Sequence, residues 1–236
     1  MKAVILAAGK GVRMRPLTRE TPKPLLKING KPILDYIFES LPAQITEVIM
    51  VIKYHGKQIQ EYSGSSKNGK MVHYVTGSNK GTAYSLISAQ KYLSNERFLL
   101  LYGDEIPNPI DINRCLEQDL SILVFTSHTP HSHGMVYLRS DGTVKTIIEK
   151  PKTSQSKIAI DGIMVLHSDI FKCIPSKDRG EKHVSTMISQ FAQTHAIVPI
   201  KASHFIGDLT TAQDIARVEH ILKFSARRHD TQLDFR

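Results

Sequence analysis

The chain has 236 residues, of which 41% are hydrophobic and 22% are charged, and its formal net charge is +9. This length and composition predict a soluble globular protein with one large α/β domain. No apolar run approaches the ~20 residues that a membrane helix needs, and the amino terminus resembles a strand rather than a signal peptide. Two isolated cysteines exclude a disulfide framework. We therefore expect a cytoplasmic protein with no membrane partner.

The excess of basic residues suits anionic ligands. A nucleic-acid-binding protein would also be basic, but here the lysines and arginines are spread along the chain rather than gathered on one helix. The one local concentration, at residues 223–229, is interpreted as the solvated end of a helix, where the helix dipole favours cations. The sequence therefore predicts small anionic ligands and no nucleic-acid partner.

The first 25 residues carry the strongest functional signal. The apolar residues 3–6 predict a buried strand, which ends in a loop of small residues around Gly9 and Gly11. Such a loop lets backbone N–H groups approach a ligand closely. Three cations follow the loop, namely Arg13, Arg15 and Lys23. A strand, an amide-rich loop and nearby cations are what polyphosphate binding requires.

This loop matches neither of the two common phosphate loops. A Walker A loop needs a serine or threonine after Gly-Lys, and none follows here. A dinucleotide-binding loop needs a third glycine where this chain has Met14. A glycine-rich turn facing water is the alternative that the Gly-x-Gly pattern leaves open by itself.

The first half of the chain alternates strands and helices. Strands are predicted at residues 2–6, 48–52, 71–75 and 98–101, and helices at 32–41, 55–62 and 82–93. This alternation predicts a mostly parallel sheet with helices on both faces. Ligands of such sheets bind beyond the carboxyl ends of the strands. We therefore expect the Gly9 loop and Asp104, which both follow a strand, to face one crevice.

The second half is richer in strands joined by turns. Strands are predicted at residues 120–126, 135–139, 144–149, 160–166, 197–200 and 204–206. Short helices are predicted at 168–173 and 183–193, and a closing helix at 211–223. Asp141-Gly142 predicts a hairpin turn. Because no linker and no hexapeptide repeat is present, we expect a single domain over residues 1–236 without an appended β-helix.

Two aspartates are candidates for binding a metal ion. Asp104 follows an apolar strand and Gly103, so it is placed for Mg²⁺, although Gly-Asp is also a common turn. Asp208 precedes the closing helix, which one of Asp208, Thr210 or Thr211 must cap. Asp214 stands three residues after Thr211, as in a capping box, and this would leave Asp208 available for metal. Glu105 is left out of the ligand set because successive side chains diverge.

The extended pattern Gly-x-Gly-x-Arg-x-x-Pro-Leu-Thr at residues 9–18, with Pro-Lys-x-Leu at 22–25, resembles the amino-terminal motif of the sugar-1-phosphate nucleotidyltransferases, or NDP-sugar pyrophosphorylases. The resemblance is to a short form without a β-helix domain. It implies an α/β fold with a Rossmann-like, mostly parallel mixed sheet flanked by helices. It also implies a Mg²⁺-dependent reaction of an NTP with a sugar 1-phosphate, which yields an NDP-sugar and pyrophosphate.

The resemblance implies roles for individual residues. The catalytic residues would be Arg13, on the β- and γ-phosphates, and Lys23, near the α-phosphate. The nucleotide would be bound by residues of the first half, namely Leu6, Ala8, Gly9, Gly11, Thr76, Gly81 and Thr82. The sugar phosphate would be bound by residues of the second half, namely Gly134, Glu149, Lys150, Asp161 and Gly162. Asp104 and Asp208 would hold Mg²⁺. Residues 1–126 would form the nucleotide-binding half, and residues 127–236 the sugar-phosphate half with the closing helix.

The chain departs from the family pattern at two places. Asp161 and Ile160 stand where a neutral polar residue is usual, which leaves the identity of the sugar open. Thr210 replaces a glycine after the second metal aspartate. Gly-Thr-Ala at residues 81–83 resembles both guanylyl- and uridylyltransferases, so the nucleobase also stays open. The sequence does not determine the oligomeric state, and a homo-oligomer is compatible with it.

Two other functions remain as alternatives. One is a cytidylyl- or other nucleotidyltransferase for a different phosphorylated acceptor such as phosphocholine, whose quaternary amine would need aromatic or acidic groups. The other is a non-catalytic sensor that binds nucleotide or sugar phosphate. A zinc site at His128, His131 and His133 is not expected, because these residues belong to a polar loop that contains Pro130, beside the predicted Mg²⁺ site built of carboxylates.

Overall fold

The computed structural model describes residues 1–175, 181–203 and 209–230, and the side chains of the last helix as far as residue 223. The strands are β1 Lys2–Ala7, β2 Lys27–Ile28, β3 Lys31–Pro32, β4 Glu47–Ile52, β5 Ser66–Lys67, β6 Lys70–Thr76, β7 Arg97–Tyr102, β8 Ser121–Thr126, β9 Gly134–Leu138, β10 Val144–Glu149, β11 Ile158–His167 and β12 Val198–Lys201. The α-helices are α1 Ile33–Ser40, α2 Gly56–Ser63, α3 Thr82–Ile87, α4 Pro109–Leu116, α5 Val184–Phe191 and α6 Ala212–Asp230.

A mixed sheet dominates the fold, with its main path in the order β10-β9-β11-β7-β1-β4-β6-β5. The four strands β7, β1, β4 and β6 are parallel neighbours and form its centre. Strand β11 lies antiparallel to β7 and continues the sheet into the β9–β10 hairpin, while β8 pairs with β11 and carries β12. This architecture confirms the predicted α/β mixed sheet.

The central strands are continuous apolar runs because both of their faces are covered. Val4 and Ile5 are both fully buried, but they belong to different clusters on opposite faces of β1. One face packs against α1 and α4, through residues such as Phe38 and Ile112, and the other packs against α3 and α5. Alternate side chains of each strand therefore enter separate layers of the core.

The predicted elements recur in the structure with a few differences. The helix predicted at 82–93 ends at Ile87, and a short 3₁₀ helix, Gln90–Tyr92, follows it. Helix α4 was not predicted, although Asn108 caps it by accepting a hydrogen bond from the Ile110 N–H at 2.9 Å and Pro109 occupies its first position. Helix α6 extends to Asp230, beyond the predicted end. The strand predicted at 204–206 lies outside the described residues.

The carboxylate of Asp111 joins α4 to the end of β12. It is fully buried and accepts hydrogen bonds from the Ser203 N–H at 3.0 Å and from the Ser203 Oγ at 2.9 Å. The Arg114 guanidinium lies 3.1 Å from the same carboxylate. A buried carboxylate with several donors is costly to remove because those donors lose their partner.

We expect Asp111→Ala to lower the free energy of unfolding by about 3 kcal/mol, since hydrogen bonds to charged groups contribute about 1.5–3 kcal/mol and the Ser203 donors become unpaired. Chemical denaturation measures this loss. Asp119→Ala is the matched control: Asp119 also pairs with an arginine, at 3.5 Å, but its side chain is 97% exposed. Its effect should stay within about 0.5 kcal/mol. Equal effects of the two substitutions would contradict the anchoring role of Asp111.

In the part of the chain that the structure describes, no helix has the length and apolar character needed to cross a membrane.

Candidate active site

The Gly9 loop and Asp104 meet at the carboxyl edge of the central sheet. Strands β1 and β7 are parallel neighbours, with Leu6 opposite Tyr102, and the Gly103 N–H donates to the Leu6 carbonyl at 2.9 Å. Both loops therefore leave the sheet side by side. The predicted common crevice is confirmed, because Gly9 and Asp104 line the same cavity of about 590 Å³.

The loop after β1 is held by its own residues. Gly11 has a left-handed backbone with φ of 60°, and its carbonyl accepts a hydrogen bond from the buried Thr18 hydroxyl at 2.7 Å. A Cβ at Gly11 would lie 2.9 Å from the Thr18 methyl group, so a larger residue does not fit. This contact explains why the glycine and the threonine of the motif occur together.

Lys23 and Asp104 form an ion pair inside the crevice. The Lys23 Nζ lies 2.7 Å from the Asp104 Oδ2, and the lysine side chain is only 11% exposed while the aspartate is 44% exposed. Two residues that are 81 positions apart in the sequence are thus in direct contact. The pair places a cation and a carboxylate at the centre of the site, where both could act on phosphate oxygens and a metal ion.

A second cavity of about 330 Å³ adjoins the first. The two share a set of lining residues, namely Arg13, Lys23, Thr82, Tyr102, Asp104, Glu181 and Thr210. Of the predicted nucleotide-binding residues, the larger cavity is lined by Leu6, Ala8, Gly9, Gly11, Gly81 and Thr82. Thr76 ends β6 and is not among the residues that line either cavity. Ser78 and Asn79, which were not predicted, line the larger cavity at this place.

The smaller cavity collects every predicted sugar-phosphate residue. Gly134 and Glu149 are paired across the β9–β10 hairpin, and a Cβ at Gly134 would lie 3.1 Å from the Glu149 Oε2. That same Oε2 accepts a hydrogen bond from the Ser185 hydroxyl at 3.1 Å. Lys150 follows with a left-handed backbone, φ of 43°, and its N–H donates to the His133 carbonyl at 2.9 Å. The hairpin thus presents a carboxylate and an ammonium group together.

Asp161 and Gly162 enter this cavity from an irregular part of β11. The register of β11 against β8 shifts between Ile160 and Met164, so the strand bulges at these residues. The Gly162 N–H donates to the Asp161 carboxylate at 2.6 Å. A Cβ at Gly162 would lie 2.7 Å from the carboxyl carbon of Glu105. The Glu105 carboxylate thus packs directly against the Gly162 backbone, and a larger residue at position 162 would displace that carboxylate.

Tyr102 stands between the two cavities and lines both. Burial raises the pKa of its phenol, and the neighbouring carboxylates of Glu105, Glu149 and Asp104 raise this pKa further. The hydroxyl therefore keeps its proton through the neutral range and can donate a hydrogen bond. Sequence reasoning missed this residue because its aromatic ring also suits a strand end.

Other lining residues were missed because their positions depend on long-range contacts. Glu105, which is not among the predicted metal ligands, lines the smaller cavity, as Asp104 does. Glu181 lines both cavities, and His183 and Ser185 line the smaller one. His133 also lines it, with its ring 5.0 Å from that of Phe125. No local pattern marked Glu181, His183 and Ser185, since they precede or begin α5, which packs against the sheet.

Only one of the two predicted metal-binding aspartates can be placed. Asp104 is in the site, whereas Asp208 lies outside the described residues. Among the residues described, no group of three or more histidine, cysteine, aspartate or glutamate side chains could hold a metal ion. Mg²⁺ usually keeps several waters and uses one or two protein carboxylates together with substrate phosphates. An oxygen ligand such as Asp104 fits that mode of binding.

The start of α6 is capped by Asp214. The Asp214 carboxylate accepts hydrogen bonds from the Thr210 N–H at 2.9 Å and from the Thr211 N–H at 2.7 Å. The Thr211 hydroxyl also donates to it, at 3.0 Å. This is the reach-back half of a capping box, and it confirms the predicted pairing of Thr211 with Asp214.

The fold and the site together describe an α/β protein that carries a glycine-rich, cationic loop at the carboxyl edge of a mixed sheet. The chain belongs to the nucleotidyl transferase family, whose sequence profile, described as "Nucleotidyl transferase", matches residues 2–219. This membership confirms the family resemblance of the amino-terminal motif.

Two curated proteins and one solved structure illustrate the relationship. "Bifunctional protein GlmU" of Methanocaldococcus jannaschii is 30% identical over 226 residues, which are 94% of this chain and 54% of the relative. The "UTP--glucose-1-phosphate uridylyltransferase AglF" of Haloferax volcanii is 29% identical over 200 residues, covering 80% of this chain and 82% of the relative. The chain spans about half the length of the GlmU relatives that it matches.

A solved structure of UDP-glucose pyrophosphorylase, complexed with UDP-glucose, superimposes with a TM-score of 0.81 at 19% identity, over 95% of this chain and 98% of the other. At this identity the likeness shows the shared fold, and it agrees with the sheet predicted from the sequence.

Proposed function

We propose that the protein is a Mg²⁺-dependent sugar-1-phosphate nucleotidyltransferase, which forms an NDP-sugar and pyrophosphate from an NTP and a sugar 1-phosphate. The observation that carries this proposal is the pair of adjoining cavities that share Arg13, Lys23 and Asp104. One cavity has the glycine-rich loop expected for a triphosphate, and the other has the polar groups expected for a sugar. Two phosphorylated substrates bound there would meet at the shared residues.

The proposed domain organisation follows the same division. Apart from Glu181 and Thr210, the larger cavity is lined by residues 1–126, the proposed nucleotide-binding half. Much of the smaller cavity comes from residues 127–236, the proposed sugar-phosphate half. The named functions of AglF and of the UDP-glucose pyrophosphorylase support this reading of the site. We also propose that the enzyme works in cytoplasmic nucleotide-sugar biosynthesis.

The proposed reaction joins two anions, so the site must first offset their repulsion. An oxygen of the sugar phosphate forms a bond to the α-phosphorus of the NTP, the bond from that phosphorus to the bridging oxygen breaks, and pyrophosphate leaves with the bonding electrons. No covalent enzyme intermediate is required, because the sugar phosphate is itself the nucleophile. Bound Mg²⁺, held by Asp104 and Asp208, would supply positive charge to the phosphate oxygens.

The residues of the chain have separate tasks in this scheme. Arg13 would hold the β- and γ-phosphates, and Lys150 would orient the sugar phosphate. Lys23 would exchange its contact with Asp104 for the α-phosphate and the attacking phosphate. The Glu149 carboxylate, which is held by a hydrogen bond from Ser185, would accept hydrogen bonds from sugar hydroxyl groups. Positioning and charge neutralisation would thus supply most of the rate enhancement.

The alternatives predict different groups in the smaller cavity. A quaternary amine such as that of phosphocholine would need aromatic or acidic groups. Among the described residues that line this cavity, Tyr102 and Phe125 are aromatic, and Glu149 and Asp161 are acidic. A non-catalytic sensor would not need the shared cations and the carboxylate, yet Arg13, Lys23 and Asp104 are all in the site. A transferase therefore accounts for more of the observed residues than a sensor does, and the choice of acceptor decides between a sugar 1-phosphate and phosphocholine.

The direct test is a matrix of NTPs against hexose 1-phosphates and phosphocholine, each with Mg²⁺, in which pyrophosphate release is followed. We expect release with at least one NTP and sugar 1-phosphate together, and none when either is omitted. Release with phosphocholine alone among the acceptors would favour the first alternative. Nucleotide binding without release in any combination would favour the sensor and overturn the proposal.

Asp161 is proposed to select among sugars, because it lines the smaller cavity where the family usually has a neutral polar residue. We expect Asp161→Asn to reduce kcat/KM for the preferred sugar 1-phosphate by roughly tenfold to a hundredfold, as loss of a charge-assisted hydrogen bond costs about 1.5–3 kcal/mol. The KM for the NTP should hardly change. Kinetics across a panel of hexose 1-phosphates measure the ranking, and an unchanged ranking would mean that Asp161 has no part in it.

A further inference from the structure

A short segment that leads into α5, residues 181–184, lies along residues 80–83 at the start of α3. We name residues 181–184 the strap. The Lys182 N–H donates to the Lys80 carbonyl at 3.1 Å, and the Ala83 N–H donates to the Lys182 carbonyl at 2.9 Å. The Val184 N–H donates to the Thr82 Oγ1 at 3.1 Å. Two parts of the chain that are about a hundred residues apart are thereby joined by backbone hydrogen bonds.

Gly81 is the residue that allows this contact. Its φ of 113° is a conformation that side chains rarely adopt, and a Cβ would overlap the Lys182 carbonyl oxygen and lie 2.6 Å from the Lys182 nitrogen. The atoms in the way are backbone, so they cannot rotate aside as a side chain would. The strap itself therefore requires glycine at position 81, whether or not a nucleobase also approaches there.

The strap also connects the two cavities. Glu181 lines both of them, and the smaller one is also lined by His183, within the strap, and by Ser185, the residue after it. Ser185 in turn donates to Glu149, a residue of the smaller cavity. Gly81 and Thr82 line the larger cavity. The residues of the strap that line the smaller cavity are thus held in place by residues 80–83, two of which line the larger cavity.

We propose that Gly81 is a positioning residue for the sugar phosphate, acting through the strap. Binding the nucleotide would then be only part of the function of Gly81. Because Gly81 allows the Lys182 backbone to pack against it, Glu181, His183 and Ser185 are held at the wall of the smaller cavity. This inference rests on the proposed function, because it takes the ligand of the smaller cavity to be a sugar 1-phosphate.

The first test is Gly81→Ala, with Gly142→Ala as the matched control. Gly142 also has a positive φ, 81°, but an added Cβ there meets nothing within 4 Å. The two variants thus share backbone strain, and only the first displaces the strap. With the sugar 1-phosphate that supports turnover, calorimetry in the absence of nucleotide should show affinity about tenfold or more weaker in Gly81→Ala and unchanged in Gly142→Ala.

A second pair of variants covers the case in which Gly81→Ala does not fold. The Lys182 ammonium donates to the Tyr84 hydroxyl at 3.2 Å, and neither side chain is among those that line the cavities. Lys182→Met and Tyr84→Phe each loosen the strap without touching a ligand. We expect each to weaken sugar-phosphate binding by roughly threefold, and NTP binding to remain unchanged.

Amide hydrogen exchange measures the stability of the hydrogen bonds between the strap and residues 80–83, and it does not depend on enzymatic turnover. The Ala83 and Val184 amides should exchange faster in Gly81→Ala and in Lys182→Met than in the wild-type protein. Faster exchange in these variants would support the contact between Gly81 and the strap. If the wild-type protein nevertheless turns over no sugar 1-phosphate, that contact is supported and the proposed function is wrong. If Gly81→Ala weakens only NTP binding, with sugar-phosphate affinity and exchange unchanged, the positioning role of Gly81 is wrong.

Discussion

Asp104→Asn is expected to lower the turnover of NTP and sugar 1-phosphate by about 10²–10³-fold while leaving the fold intact. Asparagine preserves the shape of the side chain but removes the negative charge that we propose to hold Mg²⁺. It also removes the partner of the Lys23 ammonium, which lies 2.7 Å from the Asp104 carboxylate. Steady-state kinetics in excess Mg²⁺ measure the loss, and circular dichroism reports the fold.

Glu96→Gln is the matched control for this experiment. Glu96 also forms an ion pair with a lysine, Lys2, at 2.8 Å, but it lies away from both cavities. Loss of an ordinary partly exposed ion pair costs little, so this variant should keep wild-type turnover. Near-normal turnover of Asp104→Asn would rule out the metal assignment, and removal of Mg²⁺ by a chelator should stop the wild-type reaction.

Arg13→Ala and Lys150→Ala are expected to impair different substrates. Arg13 lies in the 3₁₀ helix Val12–Met14, beside the glycine-rich loop, and we propose that it holds the terminal phosphates of the NTP. Its removal should reduce both NTP use and the reverse reaction with pyrophosphate, by about 10²-fold. Lys150 lines only the smaller cavity, so its removal should mainly raise the KM for the sugar 1-phosphate.

Forward and reverse kinetics at varied concentrations of each substrate separate these effects. Lys145→Ala serves as the control, because Lys145 belongs to the same strand, β10, as Glu149, is exposed and lines neither cavity. It should leave both KM values unchanged. A defect confined to the sugar phosphate in both Arg13→Ala and Lys150→Ala would refute the division of roles.

The fold was largely predictable because its signals are local. Apolar runs such as residues 48–52 become central strands, and the helices between them begin and end near polar or glycine positions. The placement of functional residues followed from topology: Gly9 and Asp104 each follow a parallel strand, so they must share an edge of the sheet. Of the site residues predicted from the family resemblance, all that the structure describes, except Thr76, line the two cavities, and Asp208 lies outside the described residues.

The remaining features depend on contacts between distant parts of the chain. The pairing of Lys23 with Asp104 has no local signature, since each residue separately suits its own turn. Glu181 reaches both cavities only because its segment packs against Gly81. Helix α4 is short, so its apolar periodicity was too weak to detect, although its Asn-Pro start is a recognisable cap. Periodicity and motifs do not encode such tertiary juxtapositions.

Strand β11 runs against the direction of its neighbour β7, with Ile163 opposite Leu101. The amino-terminal part of β11, with Asp161 and Gly162, therefore arrives at the same edge as the carboxyl ends of β1 and β7. No residue of this reversed strand or of the β9–β10 hairpin lines the larger cavity, which the loop after β1 helps to form. Under the proposed function, a directed-evolution library confined to those antiparallel elements should change which sugar phosphate is accepted and should leave triphosphate binding unchanged.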